Sequence, residues 1–337
     1  MDDKAVATSP AWKKPVASGS LRRIWRGLGR RRESVVLLLL LAVGTFLTLG
    51  TDTFLTFNNL SNLLRNFSWI AIAAFGQSMV IIIGGIDLSV GATMALAGLI
   101  TARCMELGVP VSLSIGAGLL TGVIVGWING SVVARVKLPP FIVTLATMSI
   151  ARGIALGLTG GWPVRDLPEG FRMLGQHNLP LGAWSSPLPV LFMLGVALLV
   201  SLLMNQTVVG RYINTVSGGE RALLASGVNV VGVKILVYIL CGLLAALGGL
   251  LMTARLGVAA PTAALGYELD IIAAAVLGGT SLFGGEGSIL GVLLGAAVMQ
   301  MLRNGLVLLG FPAYWQTMVI GTMILLAILL DYWRRKR

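Results

Sequence analysis

GGIDLSVG, residues Gly84 to Gly91, interrupts apolar sequence on both sides. Ile70 through Ile83 reads as part of a membrane helix, and Val90 through Leu107 reads as another. Between them stand three helix-weakening glycines and one carboxylate, Asp87. Free backbone groups and a carboxylate are costly at membrane depth unless neighbouring protein satisfies them. The stretch therefore predicts a break between two spans, held by the rest of the chain. Its glycines, Gly84 and Gly85, are expected to allow non-helical angles or close backbone approach. Asp87 suits a cap on the helix expected to start at Leu88, bonding the amides of Ser89 or Val90; direct contact with a transported solute is the other reading.

Composition agrees with a polytopic membrane fold of all-α class. The chain has 337 residues, 56% of them hydrophobic and only 11% charged, against about 25% charged in soluble domains. Glycine contributes 44 residues, an excess suited to closely packed membrane helices. Cys104 and Cys241 lie in or beside apolar segments with no CxxC spacing and read as small buried hydrophobes.

Ten spans fit the apolar pattern: 34–51, 67–84, 90–107, 111–134, 140–158, 187–205, 232–254, 268–283, 287–303 and 312–331. Ten spans put both termini on one side. With that side cytoplasmic, eighteen Lys and Arg residues fall inside and six outside, the bias expected of inner loops. Residues 1–33 form a basic tail and 332–337 a basic end, around one membrane domain over 34–331. Leu21 to Leu28 suggests a short interfacial helix. Val35 to Leu49 lacks a following A-x-A-like site, so it reads as an uncleaved first span rather than a signal peptide. The net charge of +12 follows membrane topology and does not point to nucleic acid.

Two loops are large. The outer one, Thr159 to Ser186, holds the chain's one histidine, His177. It reads as a connector or a docking surface. The inner one, Asn205 to Lys234, contains NTVSGGERALLASGVNVVGVK, with Ser217 and Glu220 at capping-box spacing and a stop at Gly227. About two turns of helix over Glu220–Ser226 are expected there. A second glycine junction, LGGTSLFGGEGS over Leu277–Ser288, echoes the first: GGTSLFGG at 278–285 against GGIDLSVG at 84–91. Gly278 and Gly279 thus match Gly84 and Gly85, as a duplicated transporter core would leave them.

Glycines recur every four residues at Gly118, Gly122, Gly126 and Gly130, and at Gly287, Gly291 and Gly295. These ridges let another helix approach closely, within the chain or in a dimer. Polar residues inside spans mark a candidate pathway: Asn66, Gln77, Asp87, Ser89, Asn129, Thr144, Thr147, Arg152, Gln300 and Asn304. Hydroxyls and amides suit a neutral sugar, and equally suit bonds between helices.

GGIDLSVG, GGERALLASGVNV and ELDIIAAAVLGGTSLFGGEGS together resemble the permease subunits of bacterial ABC importers for monosaccharides, the ribose/xylose/arabinose/galactose type, over residues 34 to 331. The resemblance implies a coupling helix built from Ser217, Gly219, Glu220, Arg221, Ala222, Ala225, Ser226 and Gly227. It also implies a second permease copy or homologue, a cytoplasmic ATPase subunit carrying ATP and Mg, a periplasmic sugar-binding protein, and residence in the bacterial inner membrane. No G-x-x-x-x-G-K-[ST] loop and no catalytic or metal-ligand set occurs in the sequence, so the chain reads as a transport subunit rather than an enzyme, with no cofactor of its own. The alternatives are a branched-chain amino-acid ABC permease and an ion-coupled secondary carrier. The second normally places ionisable relays in its spans, and here Asp87 and Arg152 are the chief deep charges.

Overall fold

A computed structural model describes residues 32–181 and 184–335. The tail and interfacial helix assigned to the first 33 residues lie almost wholly outside this range, as do Lys336 and Arg337. Twelve α-helices are present among the described residues: α1 (Arg32–Gly50), α2 (Phe57–Ile82), α3 (Val90–Glu106), α4 (Val111–Ser131), α5 (Pro140–Thr159), α6 (Glu169–Gln176), α7 (Leu188–Gln206), α8 (Val208–Ala225), α9 (Val230–Leu256), α10 (Tyr267–Leu277), α11 (Ile289–Leu308) and α12 (Ala313–Arg335). A π-helical turn, Val132–Val136, extends α4.

Each of the ten predicted spans coincides with a helix, and α6 and α8 are the additional two. Among the described residues, six helices are long and apolar enough to cross a membrane by length and composition: α1, α4 with its π turn, α5, α7, α9 and α11. Helices α2 and α3 lie at the centre instead, with Ile70 to Ile82 wholly buried along α2. A helix covered by protein on all sides need not present a lipid-compatible surface. The outer face of the bundle is apolar, with Leu38, Ile150, Leu198 and Leu199 exposed on α1, α5 and α7.

Boundaries depart from expectation in three places. Helix α2 begins at Phe57, well before residue 67; Thr56 caps it by accepting the Asn59 amide. Its first turns carry Asn58, Asn59, Asn62 and Arg65, polar residues that mask a helix start in a hydropathy reading. Helix α10 stops at Leu277 rather than 283 and has 11 residues. That is about 16 Å of helix, half of a bilayer core. Helix α11 runs on to Leu308, past the expected 303, whereas α3 starts at Val90, as the span 90–107 predicted.

Helix α9 is the axis of packing, against α2, α3 and α4. The α4 glycine ridge explains the closest of these crossings. A Cβ at Gly122 would overlap Gly242 O, one at Gly126 would overlap Tyr238 O, and one at Gly130 would lie 2.8 Å from Ile235 Cα. The α11 ridge works the same way against α10: Gly291 abuts Gly278 O and Gly295 abuts Ala274 O. Both ridges are thus used within the chain.

The described part of the 159–186 segment contains regular structure that the sequence did not indicate. Helix α6 buries Phe171 completely, and Gly175 packs on the Arg255 backbone. A hairpin follows, β1 (Asn178–Leu181) and β2 (Trp184–Pro187), antiparallel with Leu179 opposite Ser186. Buried Arg65 of α2 ties both in place, donating to Gln176 O at 3.0 Å and Asn178 Oδ1 at 2.6 Å. His177 is exposed between them.

Candidate functional site: two glycine junctions and an inner helix

The first junction closes α2 with a left-handed residue. Gly84 has φ +84°, its amide bonds Ile81 O at 2.9 Å, and the Gly85 amide reaches back to Val80 O at 2.9 Å. This pairing satisfies carbonyls at the helix end. Gly85 is needed for space: a Cβ there would lie 2.5 Å from Tyr238 Oη. Asp87 is fully buried and its Oδ1 accepts from the Ser89 amide at 2.8 Å and Ser89 Oγ at 2.6 Å. This is a local turn ahead of α3 rather than the expected helix cap: Ser89 is the cap residue, no side chain makes a capping bond there, and Asp87 bonds Ser89 itself. In the orientation that satisfies both groups, the Gln77 amide brackets the Asp87 backbone, its nitrogen 3.1 Å from Asp87 O and its oxygen 3.2 Å from Asp87 N.

From Ser89 the network runs outward. Asn129 Nδ2 on α4 donates to Ser89 Oγ at 2.9 Å, and Thr147 Oγ1 on α5 donates to Asn129 Oδ1 at 2.6 Å. Thr144 Oγ1 donates to Ile86 O at 3.1 Å. Six of the predicted pathway residues, Gln77, Asp87, Ser89, Asn129, Thr144 and Thr147, thus bond at the first junction and join α2, the start of α3, α4 and α5. Their polar groups turn toward one another.

The second junction has the same closing pattern, one residue out of the register expected from sequence. Gly279, not Gly278, has the left-handed φ of +88°; its amide bonds Val276 O at 2.9 Å, and the Thr280 amide reaches Ala275 O at 3.0 Å. So Gly279 corresponds to Gly84 and Thr280 to Gly85. Gly278 is there for close packing on Gly291 and Val292 of α11. The glycine pairs were aligned by identity, whereas the backbone aligns by helix end. The two junctions also touch: the Gly285 amide bonds Ile82 O at 2.9 Å, and Ile81, Ile86, Leu88, Ile272, Val276 and Leu282 pack together.

Helix α8 meets this pair of junctions. The expected capping box is not formed, because Thr207 caps the helix through the Gly210 amide and Ser217 lies inside it. Ser217 Oγ donates to Phe283 O at 2.9 Å instead. Gly219 breaks the helix with φ −135°, so the expected two turns begin there. Gly227, with φ +77°, ends them as the sequence indicated. Leu223 is buried as an anchor, while Glu220, Arg221, Ala222, Ala225, Ser226 and Gly227 are exposed. The Glu220 carboxylate receives Lys234 Nζ at 2.9 and 3.0 Å. Between α8, α9, the α4–α5 turn and both junctions lies a cavity of about 830 Å³, reached by Gly84, Gly85, Ser217, Glu220, Tyr238 and Phe283.

The remaining candidates sit apart from this cavity. Arg152 of α5 clamps the α9–α10 turn, donating to Pro261 O at 3.0 Å and Ala263 O at 2.6 Å. Asn304 of α11 exchanges two amide bonds with Asn59 of α2, at 3.1 and 2.8 Å. Gln300 is buried on α11. Sequence reasoning missed the ion pair of Asp270 with Arg303, in which the carboxylate is buried and the guanidinium lies 5.1 Å from the Tyr267 ring centroid. Its signal was available: an acid in the first turn of an otherwise apolar helix requires a partner. Tyr238, inside an apolar run, carried no such signal.

No group of three or more His, Cys, Asp or Glu side chains arranged to hold a metal occurs among the described residues. What the arrangement offers is mechanical, an exposed half-helix bonded to the junction that follows the short α10 and that in turn bonds the end of α2. Residues 59–328 match the family described as the branched-chain amino acid transport system permease component, and the chain belongs to it. More particularly, it is 43% identical to the ribose import permease of Escherichia coli K12 over 307 residues, covering 90% of this chain and 94% of that one. The ribose import permease of Bacillus subtilis 168 is 44% identical over 275 residues, 81% of this chain and 84% of its own. The xylose transport system permease of Escherichia coli K12 is 35% identical over 362 residues, 90% and 92% of the two chains. No solved structure gives a significant match.

Proposed function

We propose that the chain is the membrane-spanning subunit of an ATP-binding-cassette importer that moves a monosaccharide inward across a bacterial cytoplasmic membrane. The observation that carries this is identity of 35–44% to ribose and xylose permeases over most of both chains. The family description names branched-chain amino acids, but those relatives are sugar permeases by name, and the sugar reading is the one they favour over an amino-acid permease or a secondary carrier. ATP and Mg are bound by a separate cytoplasmic ATPase, sugar is delivered by a periplasmic binding protein, and a second permease copy or homologue completes the pathway.

Coupling runs through the second half of α8. Closure of the ATPases presses on Glu220, Arg221, Ala222 and Ala225. The Ser217–Phe283 bond and the Gly285–Ile82 bond pass that displacement to both junctions, whose caps move α3 and α11. The close fit of Gly284 under Ser217 supports this route.

This mechanism needs α8 in the cytoplasm and α6 outside. Single cysteines at exposed Ala222 and Met173, in a chain lacking Cys104 and Cys241, test it with an impermeant thiol reagent on sealed cells. Met173→Cys is expected to react from outside and Ala222→Cys only after permeabilisation. Reaction of Ala222→Cys in sealed cells contradicts the orientation. Reconstituted uptake of labelled D-ribose tests the function itself: accumulation should require the separate ATPase and ATP, and accumulation without them would overturn the reading.

A further inference from the structure

The cavity of about 830 Å³ falls within the size range of ligand sites, roughly 300–1,000 Å³. Its lining is mixed in a way that selects a ligand chemistry. Tyr238 at its inner end is fully buried, and its hydroxyl bonds no protein group. Such a group costs about 1–3 kcal/mol until something pairs with it. Ser217 adds a second hydroxyl. The Glu220–Lys234 pair adds acceptors and donors side by side, with its charges already balanced. Leu224, Leu282 and Phe283 supply apolar surface. Lys137 of the α4–α5 turn adds a second ammonium, so the lining carries one carboxylate and two ammonium groups; it does not favour a cationic ligand, and five polar side chains do not favour a lipid tail. Alternating hydroxyl partners beside apolar surface suit a neutral polyhydroxylated ring.

We propose that this cavity is a second monosaccharide site, filled from the α8 side by sugar that has accumulated there. A ring in it bridges α8 (Ser217, Glu220), α9 (Lys234, Tyr238) and the second junction (Phe283). These are the parts that must shift during coupling, so occupancy slows import. The inference rests on the proposed transport of monosaccharides and adds feedback by the product.

The test uses the full chain with its ATPase subunit in vesicles, with D-ribose as the probe. Vesicles preloaded on the α8 side with D-ribose are expected to show a saturable fall in initial ATP-driven uptake, absent when salt of equal osmolarity is preloaded. Tyr238→Phe removes only a hydroxyl that bonds no protein group, so folding should be preserved; the half-inhibitory internal concentration should rise at least tenfold. Leu224→Trp, which narrows the cavity, should act in the same direction. Equilibrium dialysis of D-ribose against the purified chain should give one site, weakened at least tenfold by Tyr238→Phe. Uptake indifferent to preloaded D-ribose, or inhibition unchanged in both variants, overturns the site and leaves the import reading standing. Failure of the assembled complex to import D-ribose, D-allose or D-xylose overturns the import reading, and the site with it.

Discussion

Gly126→Leu is expected to remove the native fold of the chain. The Cβ it adds would overlap Tyr238 O and lie 2.8 Å from Ile239 Cα, both backbone of α9. Backbone cannot rotate aside as a side chain does, so α4 and α9 must part. Overpacking costs about 1–3 kcal/mol where side chains can yield and more where, as here, the obstacle is backbone. The loss spreads, because α9 also contacts α2 and α3 and its Tyr238 packs beside Gly85. The control lies on the same helix: a Cβ at Gly116 meets nothing within 4 Å. In detergent, Gly126→Leu should lose its cooperative thermal transition and its monodisperse elution, and Gly116→Leu should keep both. Equal behaviour of the two variants would remove the α4–α9 crossing from its central place.

Gly284→Val is expected to assemble with its partners yet transport at least tenfold more slowly. Two effects act together. Gly284 sits at φ +80°, where a β-branched residue is strained. Its new Cβ would also collide with Ser217 Oγ and lie 2.8 Å from Ile82 O. The side chain therefore drives α8 away from both junctions at the point where they are bonded. Ser217→Ala removes only the bond to Phe283 O, worth about 1 kcal/mol, and should reduce uptake less. The readout is the ratio of sugar imported to ATP hydrolysed by the reconstituted complex. A parental ratio in Gly284→Val would show that displacement does not travel through this contact.

Much of this architecture was legible because membrane helices announce themselves by composition. All ten predicted spans fall on helices, and the glycine pairs at 84–85 and 278–279 are a left-handed residue and a close approach at each site. Asp87 was legible as a carboxylate needing local donors, but its role was not: the helix starts two residues later than Leu88, so Asp87 bonds the cap residue Ser89 instead of capping the helix itself. What escaped was decided by tertiary contacts. The Ser217/Glu220 spacing gives a capping box only if Ser217 has extended backbone, and the helix entering from Thr207 keeps it helical. The one-residue slip between the junctions escaped because glycine serves two purposes there, and sequence does not say which. Helix α6 escaped because its short apolar face, Phe171 and Leu174, becomes significant only against the end of α9. The pathway residues were found as polar groups in spans, but which of them bond one another depends on helix crossings. Asn129 and Thr147 stand 18 residues apart on different helices, and Asn59 and Asn304 lie 245 apart.

In the proposed function, ATP-driven closure of a separate subunit drives sugar import through α8 and the two junctions. The most direct measurement is uptake of labelled D-ribose into vesicles holding the purified chain, with and without its ATPase subunit, with the binding protein supplied outside. Accumulation should require the ATPase, ATP on the α8 side and the binding protein together, and should be insensitive to collapse of ion gradients. Accumulation by the chain alone, driven by an ion gradient, would contradict the account and make the protein a secondary carrier.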